Sequence, residues 1–65
     1  MPLSLKTRLA QAKRHLRRIE EDEPAFRLRI SGLTPEEQKE ALRSFHRILE
    51  KQLEYVRGLE EQILN

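Results

Sequence analysis

From Leu42 onward, apolar side chains recur at spacings of three and four: Leu42, Phe45, Leu49, Val56, Leu59 and Ile63, with Gln52 standing where the series calls for one more. At 3.6 residues per turn this rhythm gathers them on one stripe of a single long helix. Such a stripe must be covered, which constrains the chain to helix packing against helix. A domain of 65 residues buries only about 60% of the surface its unfolded chain exposes, so domains of this size lean on a disulfide, a metal or a partner chain. The sequence has no cysteine, which removes disulfides and thiolate metal sites. Oligomerisation remains.

The long helix has a well-marked start. Thr34, Pro35 and Glu37 give an N-cap, a proline at the first helical position and an acid three residues after the cap, the pattern of a capping box. No proline follows, so the second helix is expected over about 35–64, with Gly58 costing about 1 kcal/mol relative to alanine. Upstream, Leu5, Leu9, Ala12, Leu16 and Ile19 share a second stripe, on a helix expected to begin near Pro2 and to cover about 3–22. Glu20, Glu21, Asp22 and Glu23 oppose the dipole at a helix C-terminus, and Pro24 disfavours helix in the residue before it, so a break is expected there.

Residues 23–33 then read as an extended connector. Phe26, Leu28 and Ile30 alternate with Arg27 and Arg29, which is strand periodicity, and Ser31 with Gly32 supplies a turn. Two roles follow: a connector covering one end of a helical bundle, or a strand pairing with its copy in a second chain. The second invites comparison with ribbon-helix-helix DNA-binding proteins, but those need two short helices after the strand, and here one unbroken helical pattern follows.

The expected fold is all-α, an antiparallel helical hairpin with an extended connector, dimerising into a four-helix bundle. One register sets Ile19 opposite Leu42, Leu16 opposite Phe45, Ala12 opposite Leu49, Leu9 opposite Gln52 and Leu5 opposite Val56; a slip of one heptad satisfies the seam equally. In that register Leu59, Ile63 and Leu64 overhang the first helix. Ala41, Ile48, Leu53 and Tyr55 widen the apolar face beyond what one neighbour covers. Both features ask for a second chain, with Leu42, Phe45, Leu49, Gln52, Val56, Leu59 and Ile63 at the oligomer interface. Gln52 is read either as an edge residue with its amide in water or as half of a Gln52 pair fixing register near a dimer axis.

Charge is unevenly spread. Lys6, Arg8, Lys13, Arg14, Arg17 and Arg18 precede any acid, whereas residues from Leu33 onward carry five basic and seven acidic side chains. Outside the apolar stripe, Lys6, Lys13 and Arg17 share one flank and Arg14 and Arg18 the outer face. Lys6, Lys13, Arg14, Arg17 and Arg18 are therefore candidates for nucleic-acid phosphates. The competing account is a cationic face that balances the acidic second helix of a neighbour. Phe26, Phe45 and Tyr55 are not interleaved with the basic cluster, so no stacking platform for single strands is expected.

Chemistry has few candidates. His15 and His46 are the only histidines, and in this register they lie at similar heights on opposite flanks of the hairpin. Neither has the glutamate three residues before it that helix-bundle di-iron sites use. Glu20–Glu23 lacks a calcium-loop glycine and reads as a solvated charge run. Ser4, Ser31 and Ser44 lie in no nucleophile motif, and no glycine-rich phosphate loop is present. The expectation is a non-enzymatic oligomeric interaction or regulatory protein with no metal or cofactor, its partner a second copy of itself or another protein; the alternative is a small nucleic-acid-binding regulator. No membrane span or signal peptide is read, and a cytoplasmic location is expected. The first segment is cationic and amphipathic like a transit peptide, but its removal would leave too little chain for a domain. In length, hairpin plan and heptad seam the chain resembles the small dimeric helical-hairpin class that forms four-helix bundles; no motif matches residue by residue.

Overall fold

The computed structural model describes residues 3–64 and holds two α-helices, α1 (Leu5–Arg29) and α2 (Pro35–Leu64), packed as a hairpin 46 × 18 × 17 Å. Pro2, the expected start of the first helix, lies outside the described residues. The observed start is Leu5, capped by Ser4, whose hydroxyl accepts from the Thr7 N–H at 3.2 Å.

The expected break at residue 22 and the extended connector over 23–33 are not observed. Helix α1 runs through Pro24 to Arg29, and the link is only residues 30–34. A proline inside a helix removes one donor and crowds the carbonyl four residues before it, at a cost of about 3 kcal/mol or more. What offsets this is the continuation of the stripe: Leu9, Ala12, Leu16, Ile19, Glu23, Phe26 and Ile30 alternate at three and four, and all are half-buried or buried. Leu28, which the alternating reading placed beside Phe26 and Ile30, is 76% exposed. The helix therefore uses Phe26 and Ile30 as an i, i+4 pair and gives Leu28 to solvent. Its last turn carries Arg27 and Arg29, which suit the negative end of the helix dipole.

The turn needs no left-handed residue, since no described residue has a positive φ. Side chains tie it instead. The Ser31 hydroxyl donates to the Leu28 carbonyl at 2.7 Å, and the Gln38 amide donates to the carbonyls of Ser31 and Leu33 at 3.2 and 3.0 Å. The capping box forms as expected: the Glu37 N–H donates to the Thr34 hydroxyl at 3.2 Å, and the Thr34 N–H donates to the Glu37 carboxylate at 3.2 Å. The Thr34 hydroxyl and then the Thr34 N–H, both beside the Glu37 carboxylate, lower that carboxyl from its ordinary value.

Because α1 is longer than expected, the register moves about two turns along it. Val56, expected opposite Leu5, packs with Ala12 and Leu59 in a buried cluster, against which Leu9 and Leu16 lie. Phe45, expected opposite Leu16, stacks on Phe26 with ring centroids 5.0 Å apart. Leu59 does not overhang: it is 5% exposed beside α1. Leu64, at 86%, is uncovered.

Candidate interaction surfaces

The seven residues expected at an oligomer interface all lie along the seam that α2 presents to α1. Val56 and Leu59 are buried there, while Leu42, Phe45, Leu49, Gln52 and Ile63 remain half-buried. A single helix neighbour covers about half of each such side chain, since a two-helix seam leaves both edges open to water. The described core is accordingly thin. Among the described residues only Ala12, Ile30, Val56 and Leu59 are buried, and no large side chain among them is completely shut off from water.

Gln52 is not an edge residue with its amide left to water. Its amide donates to the backbone carbonyl of Ala12 across the seam at 3.1 Å. A contact from side chain to opposing backbone requires close helices, and Ala12, 4% exposed, supplies the small side chain that allows the approach. Neutral hydrogen bonds of this sort add about 1 kcal/mol net.

A polar cluster that sequence reasoning missed sits two turns nearer the link. Glu23, read as one of four solvated acids, is half-buried in the stripe, while Glu20, Glu21 and Asp22 are exposed. Its carboxylate accepts from Arg27 Nη2 at 3.0 Å and Nε at 3.3 Å, and His46 Nε2 of α2 lies 3.6 Å away. The Arg27 bond, followed by His46, lowers the Glu23 carboxyl from its ordinary value. The signals available were the i, i+4 spacing of Glu23 and Arg27 and the place of Glu23 in the continued heptad. The earlier register misplaced His46: it meets Glu23 rather than sharing a level with His15. Among the described residues no group of three or more acidic or histidine side chains is arranged to hold a metal.

On α1, Lys6, Lys13, Arg14, Arg17 and Arg18 are all exposed, with Lys13 and Arg17 beside α2 on a groove shared with Leu53 and Glu60. Lys13 reaches Glu60 of α2 at 4.0 Å; the other four make no ion pair among the described residues. Arg14 and Arg18 border one shallow depression with Gln11 and His15, and Lys13, Arg14 and Arg17 border another with Ala10. The remaining exposed apolar surface divides between the link, with Leu28 and Leu33, the open end, with Leu3, Leu5 and Leu64, and one flank of α2, where Ile48 is 57% and Tyr55 52% exposed. No described helix is long and apolar enough to cross a membrane. No family model matches the chain, and neither a curated protein nor a solved structure matches it.

Proposed function

We propose that this protein is a small, non-enzymatic, cytoplasmic association module whose hairpin pairs with a second copy to form a four-helix bundle. The observation that carries the reading is the half-covered seam: Leu42, Phe45, Leu49 and Ile63 keep an open edge after α1 has docked, and Ile48 and Tyr55 extend the apolar face around α2. Covering the exposed half of each such side chain gains about 1 kcal/mol, and several together are a large fraction of the stability available to so small a domain. Sedimentation equilibrium and thermal melts over a hundredfold concentration range test it. A dimer mass and a melting temperature that rises with concentration are expected by mass action; a monomer with a concentration-independent melt defeats the proposal.

A second reading draws on a separate observation. Lys6, Arg14, Arg17 and Arg18 find no acidic partner in the described chain, so their charge is available to phosphates of a duplex or hairpin nucleic acid. Replacing Arg14, Arg17 and Arg18 with glutamine should then weaken binding and flatten its salt dependence while leaving helicity intact. Unmodified protein that shows no salt-sensitive binding at low ionic strength ends this reading and leaves the association module standing.

A further inference from the structure

On α2, Ala41, Ile48 and Tyr55 are one heptad apart and form a second stripe about 90° around the helix from the seam. Ala41 is half-buried, whereas Ile48 and Tyr55 are more than half exposed. The charges beside this stripe indicate its occupant. Arg47 and Glu54 are seven residues apart and exposed, on the same side of the stripe and centred close to the Ile48–Tyr55 midpoint. If two copies of α2 lie antiparallel about that midpoint, Ile48 meets the partner's Tyr55 and Arg47 meets the partner's Glu54, each contact made twice.

Helix α1 repeats the charge reversal but not the apolar stripe, since the matching flank carries Gln11, His15 and Arg18. Arg14 and Glu21 are seven residues apart and exposed on the equivalent side. The hairpin register fixes their height: Ala12 packs with Val56 and Leu59, and Glu23 faces His46, so residues 17 and 18 of α1 lie level with residues 51 and 52 of α2. The charge reversal in α1 and the one in α2 therefore share one level. One two-fold axis through it makes both helices complementary to their own copies, a coincidence that an unrelated partner does not require. Lys51 and Arg18 approach their copies near the axis, and the partner's Glu54 and Glu21 each lie about one turn away to compensate.

We infer that a second copy of this chain docks on the Ile48–Tyr55 flank, α2 on the partner's α2 and α1 on the partner's α1, both antiparallel about an axis beside Lys51. The inference rests on the association proposed above and adds the surface and the direction.

The absence of cysteine makes crosslinking a clean test. Lys51→Cys should be captured as a covalent dimer by a short bismaleimide, whereas Glu61→Cys should not, because its two copies stand roughly 30 Å apart in this arrangement. Arg47→Glu and Glu54→Arg should each weaken self-association roughly tenfold, and an equimolar mixture should restore it, since the mixed dimer pairs opposite charges at both contacts. These residues lie outside the seam, so circular dichroism should show unchanged helicity. A protein that sediments as a dimer yet gives no Lys51→Cys product, gives an equal Glu61→Cys product, or shows no restoration on mixing overturns this surface and keeps the association. A monomer at millimolar concentration overturns both.

Discussion

The two ends of the hairpin are held together by different physics. At the open end, Ala12, Val56 and Leu59 pack closely with Leu9 and Leu16 against them, and the polar contacts between the helices are the neutral bond from Gln52 to the Ala12 carbonyl and the exposed Lys13–Glu60 pair. Toward the link, polar groups do much of the holding: Glu23 gathers Arg27 and His46, the capping box starts α2, and Gln38 ties two turn carbonyls. Apolar contact there is the Phe26–Phe45 stack and Ile30. Burial at one end resists salt and pH, while at the other end much of the stabilisation is directional, exposed and titratable.

The largest expected effect tests the open end. Leu59→Ala removes a buried side chain and should lower the stability of the chain by about 3 kcal/mol in urea titrations at fixed protein concentration. At the other end Phe45→Ala, which deletes a half-buried ring and its stack on Phe26, should cost about 2 kcal/mol. Comparable losses from Glu61→Ala, on the solvent side of α2, would show that the helix face is misassigned. If Phe45→Ala costs more than Leu59→Ala, the contrast between the ends is inverted.

How much of this was legible in the sequence follows from how local each signal is. The capping box at Thr34 and Glu37 was readable because its partners are three residues apart and need nothing else. The seam stripe of α2 was readable because periodicity survives without knowing the partner. The continuation of α1 was not, because Phe26 and Ile30 satisfy a strand period and a helix period alike. Leu28 separates the two only once its exposure is known. Pro24 added a local penalty that the longer stripe outweighs, a tertiary effect overriding a local preference. The seam spacing left the register open by one heptad, and the pairing of Val56 with Ala12 is that slip; choosing between the two depends on where α1 ends. The Gln52 bond was hidden because its acceptor is a backbone carbonyl on the other helix, which carries no mark in the residue string.

Thr34→Ala sharpens the account of the link at a smaller scale. It removes the hydroxyl that accepts from the Glu37 N–H and should cost about 1 kcal/mol, with the loss of amide protection confined to the first turn of α2. Loss of protection extending to Ala12 would mean that the two ends unfold as one unit.

The smallest effect is that of acid, and it should be felt at one end only. The carboxyls of Glu23 and Glu37 are held below the ordinary value of 4.5, Glu23 by Arg27 and then His46, Glu37 by Thr34. A carboxyl depressed in the folded chain contributes stability that is fully present above the unfolded value and is lost as pH falls through the lower folded value. Hydrogen-exchange protection at Phe26, Ile30 and Gln38 should therefore begin to fall below about pH 4.5. Once Glu23 is protonated, Arg27 and His46 face one another without a negative charge between them, which adds to the loosening. The Gln52 amide does not titrate, and the Lys13–Glu60 pair at 4.0 Å is too exposed to contribute much, so protection at Ala12 and Val56 should persist to lower pH. Simultaneous loss at both ends, or earlier loss at Ala12, would show that the link is not the acid-sensitive half.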